Sequence, residues 1–224
     1  MKKLLTSFFA LTLSVVFVSC NNNANIGFKV EVQAFGSWDT SLGMASFATD
    51  SVWIISGNGI TQIWSDAVQT VYCSGKETYE GLGRIDCRSN PNQKGDLFSW
   101  CAVFQLNLCP DGWRIPDSAD FRNLDIALGG NGQYRYQETV NGHSLETQLN
   151  WYTGTWGGAF GGICWDDGSL RGQGSSGVYW SQSDSDKPSG GFRLVFDTDG
   201  VVIPQDWGDK VYGFGFSLRC IRDN

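Results

Sequence analysis

The chain has 224 residues, with 23 acidic against 16 basic side chains, and only 17% of it is charged. That length suits one large domain with a full core, and ten tryptophans with so little charge exclude a disordered chain. An acidic balance without a basic run excludes nucleic acid and anionic lipid as direct partners.

The first twenty residues read as a targeting segment rather than as part of a fold. Lys2 and Lys3 form a positive start, and Leu4 to Val18 is apolar but short for a membrane span. The stretch closes on Phe17-Val18-Ser19-Cys20, which resembles a bacterial lipobox with Phe in place of the usual Leu. The expectation is cleavage before Cys20 and a lipid on that cysteine, so that the protein meets the membrane only through its lipid. An ordinary secreted protein and an uncleaved anchor are the alternatives. The division is then 1–19 signal peptide, 20–27 lipidated polar tether, and 28–224 a single domain. Removal of residues 1–19 takes Lys2 and Lys3 with it, leaving 14 basic against 23 acidic residues, a net charge of −9.

In chain order, Phe28 to Phe35 alternates as a strand, residues 36 to 50 read as loop, and Val52 to Ile55 is a short strand ended by Ser-Gly-Asn-Gly. From Ile60 to Cys73 the apolar residues Ile60, Ile63 or Trp64, Ala67, Val68 and Val71 repeat at three and four, which predicts a helix. Residues 74 to 94 are loop, and the apolar run from Leu97 to Leu108 fits a helix or a strand. Pro116 then stops any earlier regular structure, Asp117 stands where an N-cap belongs, and Asp120 follows at capping-box spacing. Phe121, Leu124, Ala127 and Leu128 share one face of the helix that this predicts, and Gly129-Gly130 ends it.

Residues 129 to 177 are the least regular stretch, rich in glycine and aromatics, and a loop so long inside a domain points to function or to order from its own contacts. Val178 to Ser181 starts the late strands, and residues 191 to 203 predict a hairpin turning at Asp197 to Gly200. Tyr212 to Arg222 alternates strictly, with Phe214, Phe216, Leu218 and Cys220 on one face, and reads as one strand. Of seven cysteines, six remain beside Cys20: Cys73, Cys87, Cys101, Cys109, Cys164 and Cys220. An even number in an exported chain reads as three disulfides, and no Cys/His spacing favours a metal.

Three segments carry a family resemblance. Cys109-Pro-Asp-Gly-Trp-Arg-Ile-Pro116 with Asp120, Phe121 and Leu124 resembles the CPxGWRLPTxxEWxxL signature of the Fibrobacter succinogenes major paralogous domain family. Tyr179-Trp180-Ser181 resembles its YWSS segment, and Ser217 to Asp223 its closing SVRCVKD. More distantly, Trp64-Ser-Asp-Ala67, Tyr72-Cys73 and Arg114-Ile-Pro116 are similar to segments of formylglycine-generating enzymes. The resemblance implies an α+β, C-type lectin-like fold: two helices packed on a small twisted antiparallel sheet with long irregular loops. The expected pairing joins Cys109 to Cys220, with Cys73–Cys87 and Cys101–Cys164 as the remainder.

Those enzymes bind copper through two cysteines near the C-terminus, whereas this chain has Cys220 alone there, so no catalytic residue is expected. His143, the single histidine, lies in an Asn-Gly-His-Ser turn and reads as a surface residue. Asp197-x-Asp199-Gly, Asp184-x-Asp186 and Asp166-Asp167-Gly are fragments of calcium loops that are more simply turns; no cofactor is expected, calcium being the one ion with fragments to offer. Trp151, Tyr152, Trp156, Trp165, Trp180 and Trp207 are the candidate ligand-binding residues, as a stacking platform for sugar rings or as the loop's own packing. The expectation is a non-catalytic, lipid-anchored outer-membrane protein of the cell envelope that binds a glycan or an envelope protein. An enzyme related to the formylglycine-generating oxidases, or a purely structural or adhesive surface component, are the alternatives.

Overall fold

The computed structural model describes residues 27–33, 50–66, 68, 97–99, 103, 108–165, 169–184, 190–209 and 214–223. Their architecture is mixed α+β, with two helices and three small antiparallel sheets. Strands β1 (Gly27–Gln33), β2 (Asp50–Gly57) and β3 (Ile60–Ser65) form one sheet with the last strand, β12 (Cys220–Arg222), in the order β1-β2-β3-β12. A second sheet runs β5 (Arg135–Tyr136), β10 (Val201–Asp209), β9 (Gly190–Asp197) and β8 (Ser176–Asp184). The third joins β4 (Phe98–Ser99), β11 (Gly215–Phe216), β6 (Ile163–Cys164) and β7 (Leu170–Arg171).

The helix expected from Ile60 is instead a strand as far as Ser65. Asn58 and Gly59 both have positive φ, 51° and 78°, the pair of left-handed residues that a two-residue hairpin turn requires. They fold β3 back on β2, with Trp53 opposite Trp64 and Ile54 opposite Ile63. Gln62 and Trp64 point inward; the Gln62 amide donates to the Asp120 carbonyl at 2.9 Å and accepts from the Trp64 indole at 3.2 Å. Burial on both sides of the strand made its apolar residues fall at helix-like intervals. Residues 69–73, 74–94 and most of the run from Leu97 to Leu108 lie outside the described residues.

Helix α1 (Ser118–Leu128) forms where the sequence places it. Asp117 accepts from the Asp120 amide at 2.8 Å, and the Asp120 carboxylate accepts from the Asp117 amide at 2.7 Å, a complete capping box. Gly129 closes the helix at φ 109°, and Phe121, Leu124, Ala127 and Leu128 are buried. They meet Trp64, Trp156, Leu194 and Phe196 in one apolar cluster, with Trp64 stacked on Phe121 at 5.6 Å. A second cluster gathers Val52, Phe98, Trp113, Trp180, Phe216 and Cys220. Val52 belongs to one cluster and Trp53 and Ile55 to the other, because successive side chains of a strand take opposite faces.

The C-terminal run from Gly215 on is not one strand but two, in different sheets. β11 pairs with β4 and β6, and β12 pairs with β3. The break falls at Leu218 and Arg219, both buried, so neither face of the run is open to water as strict alternation implies. Cys109 and Cys220 are bridged, with Cα atoms 5.7 Å apart, which ties the entrance of α1 to β12. Cys164 is disulfide-bonded too; Cys20, Cys73, Cys87 and Cys101 lie outside the described residues. The late hairpin forms as expected, with a shift of register between Ile203 and Asp206, around Pro204, which has no amide hydrogen for the ladder.

Candidate functional site

The stretch from Gly129 to Gly177 builds most of a surface groove, and it is more regular than its composition suggests. Asn141 and Gly142, with φ 50° and 81°, turn the chain so that Val140 and His143 pair. Ser144 then caps a second helix, α2 (Leu145–Asn150), by accepting from the Thr147 amide. The helix runs straight into one π-helical turn, Trp151–Thr155, closed by the Trp156 amide on the Trp151 carbonyl at 2.8 Å. Such turns insert a residue into a helix and are frequent at functional sites.

A groove of about 870 Å3 lies along this helix and turn, lined by Leu145, Leu149 and Phe160 with Glu146, Thr147, Asn150, Thr153 and Thr198. The three apolar residues are half-buried; Glu146, Thr147, Asn150 and Thr198 are exposed. Only Glu146 among the eight carries a charge.

Beside the groove stands strand β5, at the edge of its sheet. Arg135 points inward, and its guanidinium meets the Asp125 carboxylate at 2.6 and 3.0 Å. Asp125 also accepts from the Tyr152 hydroxyl at 2.5 Å and the Gly132 amide at 2.8 Å, while Arg135 donates to Gln148 of α2. Burial is the largest single influence on Arg135 and opposes its charge, but the hydrogen bonds and charge interactions with Asp125 and Tyr152 together outweigh it, so its pKa stands above the ordinary value. Burial drives the Tyr152 hydroxyl well above its usual value of 10.0. Because Arg135 faces in, Tyr134 and Tyr136 face out, 62% and 49% exposed. Among the described residues they are the exposed large apolar side chains.

The residues that follow the tyrosines tie their segment to the edge of the groove. The Gln137 amide nitrogen of the backbone donates to the Gly200 carbonyl at 2.8 Å, and its side chain donates to the Asp199 carbonyl at 2.9 Å. Gly200 lies against both Gln137 and Leu145, and Gln148 donates to the Glu138 carbonyl at 2.7 Å.

Of the two readings of the candidate rings, internal packing holds for four of the six. Trp151, Tyr152, Trp156 and Trp180 are buried, and their faces are taken by other parts of the core. Trp156 is packed edge-on by Trp64 at 5.3 Å, Tyr152 stacks on Phe196 at 4.8 Å, and the Trp180 indole donates to the Phe98 carbonyl at 2.7 Å. Trp151 meets His143 edge-on at 5.0 Å, which leaves that histidine half-buried rather than free at the surface. Trp165 is half-buried, with the Arg171 guanidinium 3.8 Å over its ring and Phe214 at 4.5 Å. Trp207 lies on β10 opposite Phe192, its side chain outside the described residues. A domain of this size has too little other apolar material in these segments to leave large rings on the surface.

Two arginines have roles that their sequence context hides. Arg114 donates to Asp120 at 2.6 and 3.1 Å and to Asp223 at 2.9 and 3.1 Å, locking the capping box to the C-terminus. Its hydrogen bond to Asp120 raises its pKa, and Arg114 in turn holds the Asp223 carboxyl below its ordinary value. Arg219 is buried between the rings of Trp53 and Trp156, at 3.9 and 4.7 Å, and donates to the Trp156 carbonyl. Burial pulls its pKa down to about 10.

Among the described residues, no three His, Cys, Asp or Glu side chains are placed to hold a metal ion. The Asp197 carboxylate accepts from the Val201 amide at 3.0 Å and so serves the hairpin turn. Residues 166–168 and Asp186 are outside the described residues.

A family profile described as Fibrobacter succinogenes major domain matches residues 44–222, most of the chain. The chain belongs to that family. The Fibrobacter succinogenes major domain thus takes in the capping-box helix, all three sheets from β2 onward, and the groove with its tyrosines. No curated protein and no solved structure matches the chain.

Sequence reasoning missed Tyr134, Tyr136 and helix α2. The signals were there: Tyr-Arg-Tyr is a period-two triplet, and Ser144 followed by Leu145 and Leu149 is a capped helical pattern.

Proposed function

We propose that this protein is a non-catalytic, lipid-anchored component of the outer membrane that binds a glycan in the groove along α2. The observation that carries this is the groove's lining, half-buried Leu145, Leu149 and Phe160 beneath a rim of hydroxyl and amide groups. A sugar presents the complement, an apolar C–H face edged by hydroxyls, and ligand clefts combine apolar floors with a few polar groups in this way. Two helices, small antiparallel sheets and a long loop-rich segment favour a C-type lectin-like fold. The absence of an enzymatic role is favoured by cysteine chemistry: Cys220 and Cys164 are both oxidised, so neither offers a thiolate for a copper centre.

The test is a glycan array probed with the full chain in detergent, with and without calcium. Binding that is lost in Asn150→Ala and Thr153→Ala supports the reading; silence on every glycan in both conditions overturns it. For the anchor, labelled palmitate should be incorporated by the wild type in bacterial cells and not by Cys20→Ser. Incorporation by that variant overturns the anchoring site.

A further inference from the structure

The groove is only part of the surface that a bound chain would meet. Tyr134 directly precedes the two-residue edge strand β5 and Tyr136 ends it, so two exposed rings flank the inward-facing Arg135, roughly 7 Å apart along the chain. Gln133, Gln137, Glu138 and Thr139 are exposed around them. The strand's end is fastened beside the groove at Gly200, where a Cβ would meet both the Gln137 and the groove-lining Leu145 side chains.

Resting on the glycan reading of the groove, we propose that the ligand is an uncharged, linear oligosaccharide that extends from the groove onto Tyr134 and Tyr136, which form a second subsite. Charge selects the class. The only ionisable group lining the groove is Glu146, Glu138 stands exposed just past the tyrosines, and the whole chain carries a net charge of −7. A uronate or phosphorylated glycan meets repulsion there and finds no cation in the groove's lining. Geometry selects the length. Exposed aromatic rings are costly to leave in water, and two on one short segment fastened beside a groove offer stacking surfaces for successive sugars of one chain. Arg135 is a positioning residue for this subsite: it touches no ligand, but its burial turns the neighbouring side chains outward.

The experiment is a length series of malto-, cello-, xylo- and manno-oligosaccharides, from the monosaccharide to the hexasaccharide, titrated calorimetrically into the full chain in detergent. Oligogalacturonates of the same lengths serve as the charged comparison. In at least one neutral series, affinity should rise with length beyond the disaccharide, and Tyr134→Ala with Tyr136→Ala should remove that rise, about a tenfold loss for the longest member. The short members should bind the double variant as they bind the wild type, and Tyr136→Phe, which keeps the ring, should retain most of the gain. Near-ultraviolet circular dichroism confirms that each variant is folded. Affinity that is flat with length, a length gain that survives the double alanine variant, or preference for the oligogalacturonates overturns this proposal and leaves the groove reading standing. Absence of binding in every series overturns both.

Discussion

Asp125 and Arg135 meet end-on in the interior, 0% and 1% exposed, and the only large apolar side chains left exposed among the described residues are the two that flank this arginine. The pair joins α1 to β5, and through Tyr152 and Gln148 it also holds α2 and the π-helical turn. A buried ion pair contributes little net stability against an apolar substitute, but losing one partner leaves a charge stranded. Arg135→Met is therefore expected to destabilise the fold by about 3–5 kcal/mol in urea unfolding. Asp125→Leu combined with Arg135→Met should cost less than the two single changes added together; simple additivity would refute a coupled pair.

The Cys109–Cys220 bridge closes a loop of 111 residues, and the entropy removed from the unfolded chain grows with loop length. Cys109→Ser and Cys220→Ser, each and together, should lower stability by about 4 kcal/mol relative to the oxidised protein. Non-reducing peptide mapping should recover the two cysteines in one linked fragment.

Two neighbouring glycines separate close approach from backbone strain. A Cβ on Gly57 would lie 2.1 Å from the carbonyl oxygen of Ala127, where the end of α1 rests on β2. Gly59 meets nothing within 4 Å but holds φ at +78°. Gly59→Ala should cost about 1–2 kcal/mol from conformation alone. Gly57→Ala should cost about 1–3 kcal/mol and also shift the α1 backbone, seen as amide chemical-shift changes at Ile126 to Leu128 that Gly59→Ala does not produce.

Alkaline pH gives a further check. Burial raises the pKa of Tyr152 and Tyr179 above the ordinary 10.0, so the folded chain keeps two protons that the unfolded chain gives up near that value. Their contribution is complete below pH 10 and is lost as pH rises toward the folded values. Tyrosinate absorbance from these two should appear only as near-ultraviolet circular dichroism collapses. Tyr152→Phe and Tyr179→Phe should each remove one tyrosine from that late class, and early titration of either would show that water reaches it.

Features whose cause is local could be read from residues alone. Pro116, Asp117, Asp120 and Gly129 act within a turn of one another, so the start, end and buried face of α1 follow from their order, as does the hairpin at Asp197 to Gly200. Ile60 to Ser65 was misread because its apolar spacing suits a helix as well as a strand buried on both sides, and the deciding feature was the turn at Asn58-Gly59 just before it. The split of the last strand, the burial of Arg219 between Trp53 and Trp156, and the burial of Trp151, Tyr152, Trp156 and Trp180 depend on which segments meet across the chain. Composition told that the loop was aromatic, while packing chose which aromatics water would see. The large rings went inward because the core had most to gain from them, and the tyrosines stayed outside because Arg135, between them in the chain, had taken the inward face for Asp125.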